Sequence, residues 1–526
     1  MKYLFATVVC MLFLGCKSSD TLVQTSYGTV AGKQTSKVKA YLGIPYAQPP
    51  VGDLRWEDPL PPQPWQGNLA AHSMGDACTQ YGSGLPIFFE SEDCLTLNIW
   101  VPKTPGPHPV MFWVHGGAQM SGSSSEWQYS GAALAAAQNV IVVSANYRLL
   151  VSGFFALPAT GSLPPIKGNQ AIKDLIAALK WVNSEINQFG GDSENITLFG
   201  ESAGSTNVCA LLATPKTRDP DLFQRVIMQS GACDTLGVMS PERAQQEGLA
   251  LLNTLGCGNA EEPLQCARNM PIEAVRKPVK GNLFGTFSLR LDEWPYQIGL
   301  VIDGDVFPES PITLLKNHPR SNTPIMLGSN HHEGSLFAGF MDHPKDKQEY
   351  LSFLDDRYPG RGATLAQHYP LSNYQNAGEA HADLRGDMIM KCPALNMARL
   401  YSANNPVWFY SLTHIPFSPF FEIVEFGFGD NAPELGVFHS ADVGFLFEFP
   451  FLTAFFRQSD RDVRDFMQQA WGNFARHGDP NGNSSMVWRR FDIADDNYLN
   501  IKPKPVNEVK FRQGACDFWF DRGYGF

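Results

Sequence analysis

The segment ITLFGESAGST, from Ile196 to Thr206, crowds one serine with small residues. Gly200 and Gly204 stand two places either side of Ser202, and Ala203 follows it. The run ITLF is β-prone, and STNVCALLA after the turn can be helical. A strand that turns sharply into a helix strains its turn residue and leaves no room for neighbouring side chains. Small residues are therefore the steric condition for presenting Ser202 Oγ at the rim of a sheet. The N-terminus of the following helix adds N–H groups and a field that favours developing negative charge. The chemistry this predicts is nucleophilic attack by a serine hydroxyl.

Such a hydroxyl is a poor nucleophile until a base takes its proton and an acid orients that base. The expected chain order after this turn is serine, acid, histidine. LGSNHHEG offers Glu333 as the acid, and GVFHSADVGFLF offers His439 as the base. From the residues alone, His331 and His332 are rival bases and Asp442 a rival acid. FWVHGGAQMSG places small residues after an early strand, where their N–H groups can face a reacting carbonyl oxygen. Gly117 and Ala118, joined by Ala203, are the predicted oxyanion donors, each worth roughly 3 kcal/mol to a transition state. Glu201 is predicted as a pocket-wall carboxylate that polarises water or the histidine.

Positioning these loops requires a rigid sheet. Val110–Val114, Val140–Ala145, Ile196–Phe199, Arg225–Met228, Pro324–Leu327 and Val407–Ser411 are short, apolar and β-rich. Between them lie helical periods. Leu175, Leu179, Val182 and Ile186 share one face, as do Val463, Phe466, Met467, Ala470, Trp471 and Phe474, with Gly478 placed to end that helix. Strands alternating with helices predict an α/β fold: a large, mostly parallel sheet covered on both faces, with a small antiparallel part at Thr21–Tyr46. The stretch 281–308 is predicted to cover the sheet, and Phe445–Phe456 to pack in the core. No repeat or linker divides the chain, so 16–526 is expected to be a single catalytic domain.

With 526 residues, 44% hydrophobic and 17% charged, the chain has the composition of a globular protein. A net charge of −12 without a basic run argues against nucleic acid. No Cys/His cluster has zinc spacing, and the chemistry needs neither metal nor organic cofactor. Residues 1–15 read as a signal peptide, whose apolar stretch Tyr3–Leu14 is too short to span a bilayer. LFLGC resembles the lipobox of bacterial lipoproteins, which implies lipidation at Cys16 and membrane anchoring through it. The expectation is export, to the periplasm or an outer-membrane anchor, or otherwise secretion. Eight further cysteines then meet an oxidising compartment, where some should pair.

The chain resembles the type-B carboxylesterase/cholinesterase family of α/β-hydrolases over nearly its whole mature length. YLGIPYAQPPVGDLRW (Tyr41–Trp56), SEDCLTLNIW (Ser91–Trp100), GLVIDGDVFPESP (Gly299–Pro311) and WGNFARHGDPNG (Trp471–Gly482) look like family landmarks. The resemblance implies a triad of Ser202, Glu333 and His439, and the oxyanion donors given above. It also implies disulfides Cys78–Cys94, Cys257–Cys266 and Cys392–Cys516, leaving Cys209 and Cys233 as expected buried free thiols. Cholinesterases hold choline on a tryptophan in the loop closed by the first disulfide. Here that loop has only Tyr81, Phe88 and Phe89, and Leu336 replaces the aromatic that follows the triad glutamate. Without those surfaces for quaternary ammonium, acetylcholine is an unsuitable substrate. A change around Leu236-Gly237 opens the acyl pocket, which Phe337 still lines. The implied function is hydrolysis of a small-molecule ester. The alternatives are a non-catalytic, cholinesterase-like binding or adhesion protein, or a lipase acting on long-chain acyl esters.

Overall fold

The computed structural model describes residues 20–80, 89–233, 235, 237–276, 299–449, 453–482 and 487–520. The predicted cover at 281–308 therefore lies partly outside the described residues, as do residues 1–19 with Cys16.

Among the described residues, one sheet of 13 strands organises the fold. Three antiparallel strands open it: β1 (Asp20–Thr25), β2 (Gly28–Gln34) and β3 (Val38–Pro45), with β4 (Asn68–Ala70) beside β2. Then follow β5 (Thr96–Pro102), β6 (His108–Val114), β7 (Ile141–Ala145), β8 (Gly191–Glu201), β9 (Arg225–Gln229), β10 (Ile325–Asn330) and β11 (Val407–Leu412). β12 (Tyr498–Ile501) and β13 (Val506–Glu508) complete it. The spatial order is β1-β2-β3-β5-β7-β6-β8-β9-β10-β11-β12-β13. From β7 to β12 every pairing is parallel; along this order the outer pairings are antiparallel, and β4 joins β2 in parallel. The α/β class and the early antiparallel part are as the sequence predicts.

Period-two alternation sorts the strand residues into two cores. Val110, Phe112, Val143, Ile196, Leu198, Val226 and Leu327 face one side, with Leu175, Leu179 and Val182 of α1 (Gln170–Glu185) and the buried α2 (Ala203–Ala213). Met111, Trp113, Val142, Phe199, Ile227, Met326 and Trp408 face the other. There they meet Val463, Met467, Trp471 and Phe474 of the helix Gln458–His477, which Gly478 ends in a left-handed conformation. Phe445, Phe447 and Phe456 join this second core. A strand buried on both faces must be apolar throughout, which is why these runs show no polar alternation.

Four disulfides staple the described residues. Cys78–Cys94, Cys257–Cys266 and Cys392–Cys516 are paired as the resemblance implies. In the chain-entropy picture, closing the 124-residue loop of the last contributes about 5 kcal/mol. The expectation of free thiols at Cys209 and Cys233 is wrong. They form a disulfide with Cα atoms 5.3 Å apart. β8 and β9 are adjacent and parallel, so the helix after one and the loop after the other emerge side by side at the same rim. Ser205 Oγ donates to Gly231 O there at 2.8 Å.

Candidate active site

All the predicted reactive loops leave the C-terminal ends of parallel strands, the rim where sheets of this kind place ligands. Ser202 follows β8 with φ 58° and ψ −127°, a region costing a non-glycine residue about 1–3 kcal/mol. Its N–H donates to Gln229 O of β9 at 2.9 Å, which holds the turn. The opening of α2 lies directly on β6. A Cβ on Gly204 would sit 2.1 Å from the Val114 carbonyl oxygen, so only glycine fits. Glu201 and Ala203 are buried while Ser202 is half-buried, leaving the hydroxyl as the accessible member of the turn.

The loop after β6 lies on the same turn. Gly117, Ala118 and Gln119 are all left-handed, with φ of 108°, 56° and 65°. This conformation is locked by Met120 and Ser121 N–H groups on Gly117 O, each at 2.9 Å. Gln119 Nε2 donates to Asn207 Oδ1 of α2 at 2.8 Å, and Tyr147 OH donates to His115 O at 2.8 Å. Consecutive residues of this kind turn successive N–H groups into a concavity suited to an anion.

Glu333 and His439 come from loops after β10 and β11. The ring's Nδ1–H donates to Glu333 Oε2 at 2.6 Å, and Glu333 Oε1 accepts from Asn330 N–H at 2.6 Å. Nε2 of His439 is buried and has no hydrogen-bond partner among the described residues. It lies 3.2 Å from Glu201 Oε1, the carboxylate next to Ser202. Burial works against charge on this ring, but the Glu201 and Glu333 carboxylates outweigh it and hold the imidazole above its ordinary value. Burial likewise pushes Glu201 up to about 7, against the pull of His439.

The rivals have other hydrogen-bond partners. Asp442 accepts from Gln229 Nε2 at 2.7 Å, Asn330 Nδ2 at 3.2 Å and Tyr410 OH at 3.3 Å. His331 and His332 are exposed, and His332 Nδ1 accepts from Val437 N–H at 3.0 Å. Phe337, on α3 (Ser335–Gly339), packs its ring 5.0 Å from that of His439, and Leu336 beside it is half-buried. Tyr81, Phe88 and Leu236 lie outside the described residues, and Phe89 is 85% exposed.

A family model described as the carboxylesterase family matches residues 19–519. The chain belongs to the carboxylesterase family. Carboxylesterase 3 of Pongo abelii is 34% identical, over 94% of this chain and 90% of that protein. Para-nitrobenzyl esterase of Bacillus subtilis (strain 168) is also 34% identical, over 93% and 97%. Acetylcholinesterase of Bungarus fasciatus is 30% identical, over 99% and 89%.

Sequence reasoning misses three residues that hold this carboxylesterase's site together. Asn330 ties the Glu333 loop to the His439 loop, since its Nδ2 also donates to Phe438 O at 2.9 Å. Gln229 bridges Asp442 and Trp471 Nε1, the latter at 3.0 Å. Ser440 Oγ donates to Glu201 Oε1 at 2.6 Å. Asn330 and Ser440 each stand within three residues of a predicted catalytic group, which was the available signal. Gln229 had none, because its partners are 213 and 242 residues away.

Proposed function

We propose that the chain is a serine carboxylesterase that hydrolyses carboxylic esters through an acyl-enzyme. The observation carrying this reading is the buried 2.6 Å bond from His439 Nδ1 to Glu333 Oε2. It fixes the tautomer whose Nε2 lone pair is open beside the Ser202 turn. His439 takes the Ser202 proton as Oγ attacks the ester carbonyl, and the oxyanion rests on the N–H groups of Gly117, Ala118 and Ala203. The imidazolium then protonates the departing alcohol. Water, deprotonated by His439, attacks the acyl-enzyme and releases the acid. Glu333 orients the ring and stabilises its charged form.

The substrate is an uncharged ester rather than a choline ester, because Leu336 replaces the aromatic after the proposed triad glutamate and the sequence between Cys78 and Cys94 holds no tryptophan to seat a quaternary ammonium. Residues 16–526 act as one catalytic domain behind a leader at 1–15. Four disulfides fit an oxidising compartment, and within it Cys16 carries a lipid anchor. The test is an acyl-chain-length series of p-nitrophenyl esters on the wild type and Ser202→Ala. Hydrolysis and fluorophosphonate labelling are both expected to vanish in the variant, and turnover that survives it overturns the mechanism. A rate that jumps at the micelle threshold of long-chain esters points to a lipase instead.

A further inference from the structure

Ser440 adjoins His439 but has no part in the triad. Its backbone is left-handed (φ 73°, ψ 5°) where the chain enters α4 (Ala441–Phe447), a conformation unfavourable for a serine. This turn brings Oγ to Glu201 Oε1 at 2.6 Å. The same carboxylate oxygen lies 3.2 Å from His439 Nε2, the nitrogen that must accept the serine proton. One oxygen thus serves a hydroxyl donor on one side and the base on the other.

We propose that Ser440 is a positioning residue for the base: its hydroxyl holds Glu201 ionised and fixed beside His439 Nε2, and so sets the pH range in which the base is free to act. The proposal rests on the triad reading above. The other titratable groups facing Glu201 are Asp442 on α4, Glu333 after β10, Tyr410 on β11, Tyr129 from the segment after β6 and Tyr147 from the loop after β7. His439 apart, these are acids or neutral phenols, so Ser440 and His439 supply the stabilisation of a carboxylate that burial otherwise disfavours. A hydroxyl donating to a carboxylate favours its charged form, and a charged Glu201 favours the imidazolium. Removing the hydroxyl lets Glu201 take a proton more readily, and the imidazole then gives up its own at lower pH.

The test measures kcat/KM against pH, with a soluble p-nitrophenyl ester, for wild type, Ser440→Gly, Ser440→Ala, Glu201→Gln and the Glu201→Gln/Ser440→Gly double variant. Glycine suits the left-handed backbone, so that variant keeps the fold while deleting the hydroxyl. Both Ser440 variants are expected to move the acid-limb midpoint down by about half a pH unit, in the direction of Glu201→Gln. In the Glu201→Gln background, Ser440→Gly is expected to add nothing. An unmoved midpoint in both Ser440 variants, or an equal shift with and without Glu201, overturns the proposal. Either result, obtained on activity that Ser202→Ala abolishes, leaves the triad reading intact. Activity surviving Ser202→Ala removes that reading itself.

Discussion

Two buried histidine sites in this carboxylesterase have opposite electrostatics. His439 sits among the carboxylates of Glu201, Glu333 and Asp442, and its proton affinity is raised despite burial. His343 and His381 sit in a second site packed with Phe353, near Arg357 and Arg385. There Tyr358 OH donates to His381 Nε2 at 3.4 Å, His381 Nδ1–H to His343 Nε2 at 3.2 Å, and His343 Nδ1–H to Met341 O at 2.9 Å. With both rings neutral, every nitrogen of the pair has a partner in this chain. Burial, followed for His381 by Arg385, pushes that ring well below its ordinary value, and burial holds His343 at about 4. Burial therefore prevails at the second site and is outweighed at the first. The carboxylates raise the proton affinity of one ring, and burial lowers that of the other pair.

The sharpest way to break this contrast is to remove each ring in turn. His439→Gln is expected to lower kcat on the order of 10⁵–10⁶-fold with little change in Tm. His381→Gln should lower Tm while active-site titration shows kcat per folded molecule retained. A large loss of kcat in both would erase the distinction. Glu333→Gln tests the orienting carboxylate alone. It should reduce kcat about 10³–10⁴-fold, because the neutral amide no longer selects the Nδ1–H tautomer.

Acid unfolding probes the other site. An unfolded histidine binds its proton near pH 6.5, whereas folded His343 resists until about 4. Between those values the unfolded state holds more protons, so stability rises with pH and is lost as pH drops from about 6.5 to about 4, by up to about 3 kcal/mol from this ring. Urea unfolding at stepped pH should show the slope in wild type and a flatter one in His343→Gln. A slope unchanged by the substitution would assign the acid sensitivity elsewhere. Smallest is the effect of Glu201→Gln. Removing this anion should shift the acid limb of kcat/KM to lower pH by about one unit, since less negative charge stabilises the imidazolium. A limb that moves upward would mean Glu201 does not raise the ring.

What the sequence determined is local. The small residues around Ser202, the apolar runs and the α1 and Gly478 patterns report turn sterics and periodicity, which act over a few residues. Glu333, the proposed orienting acid, was preferred only through resemblance, since Asp442 competes with it on paper. In the fold Glu333 accepts from His439 Nδ1, while Asp442 accepts from Gln229, Asn330 and Tyr410. Spatial strand order likewise joined Cys209 to Cys233, and the fold set Ser440 against Glu201, 239 residues away. Such contacts cost loop-closure entropy and depend on which strands lie side by side. Only the packed sheet, which fixes that order, could decide them.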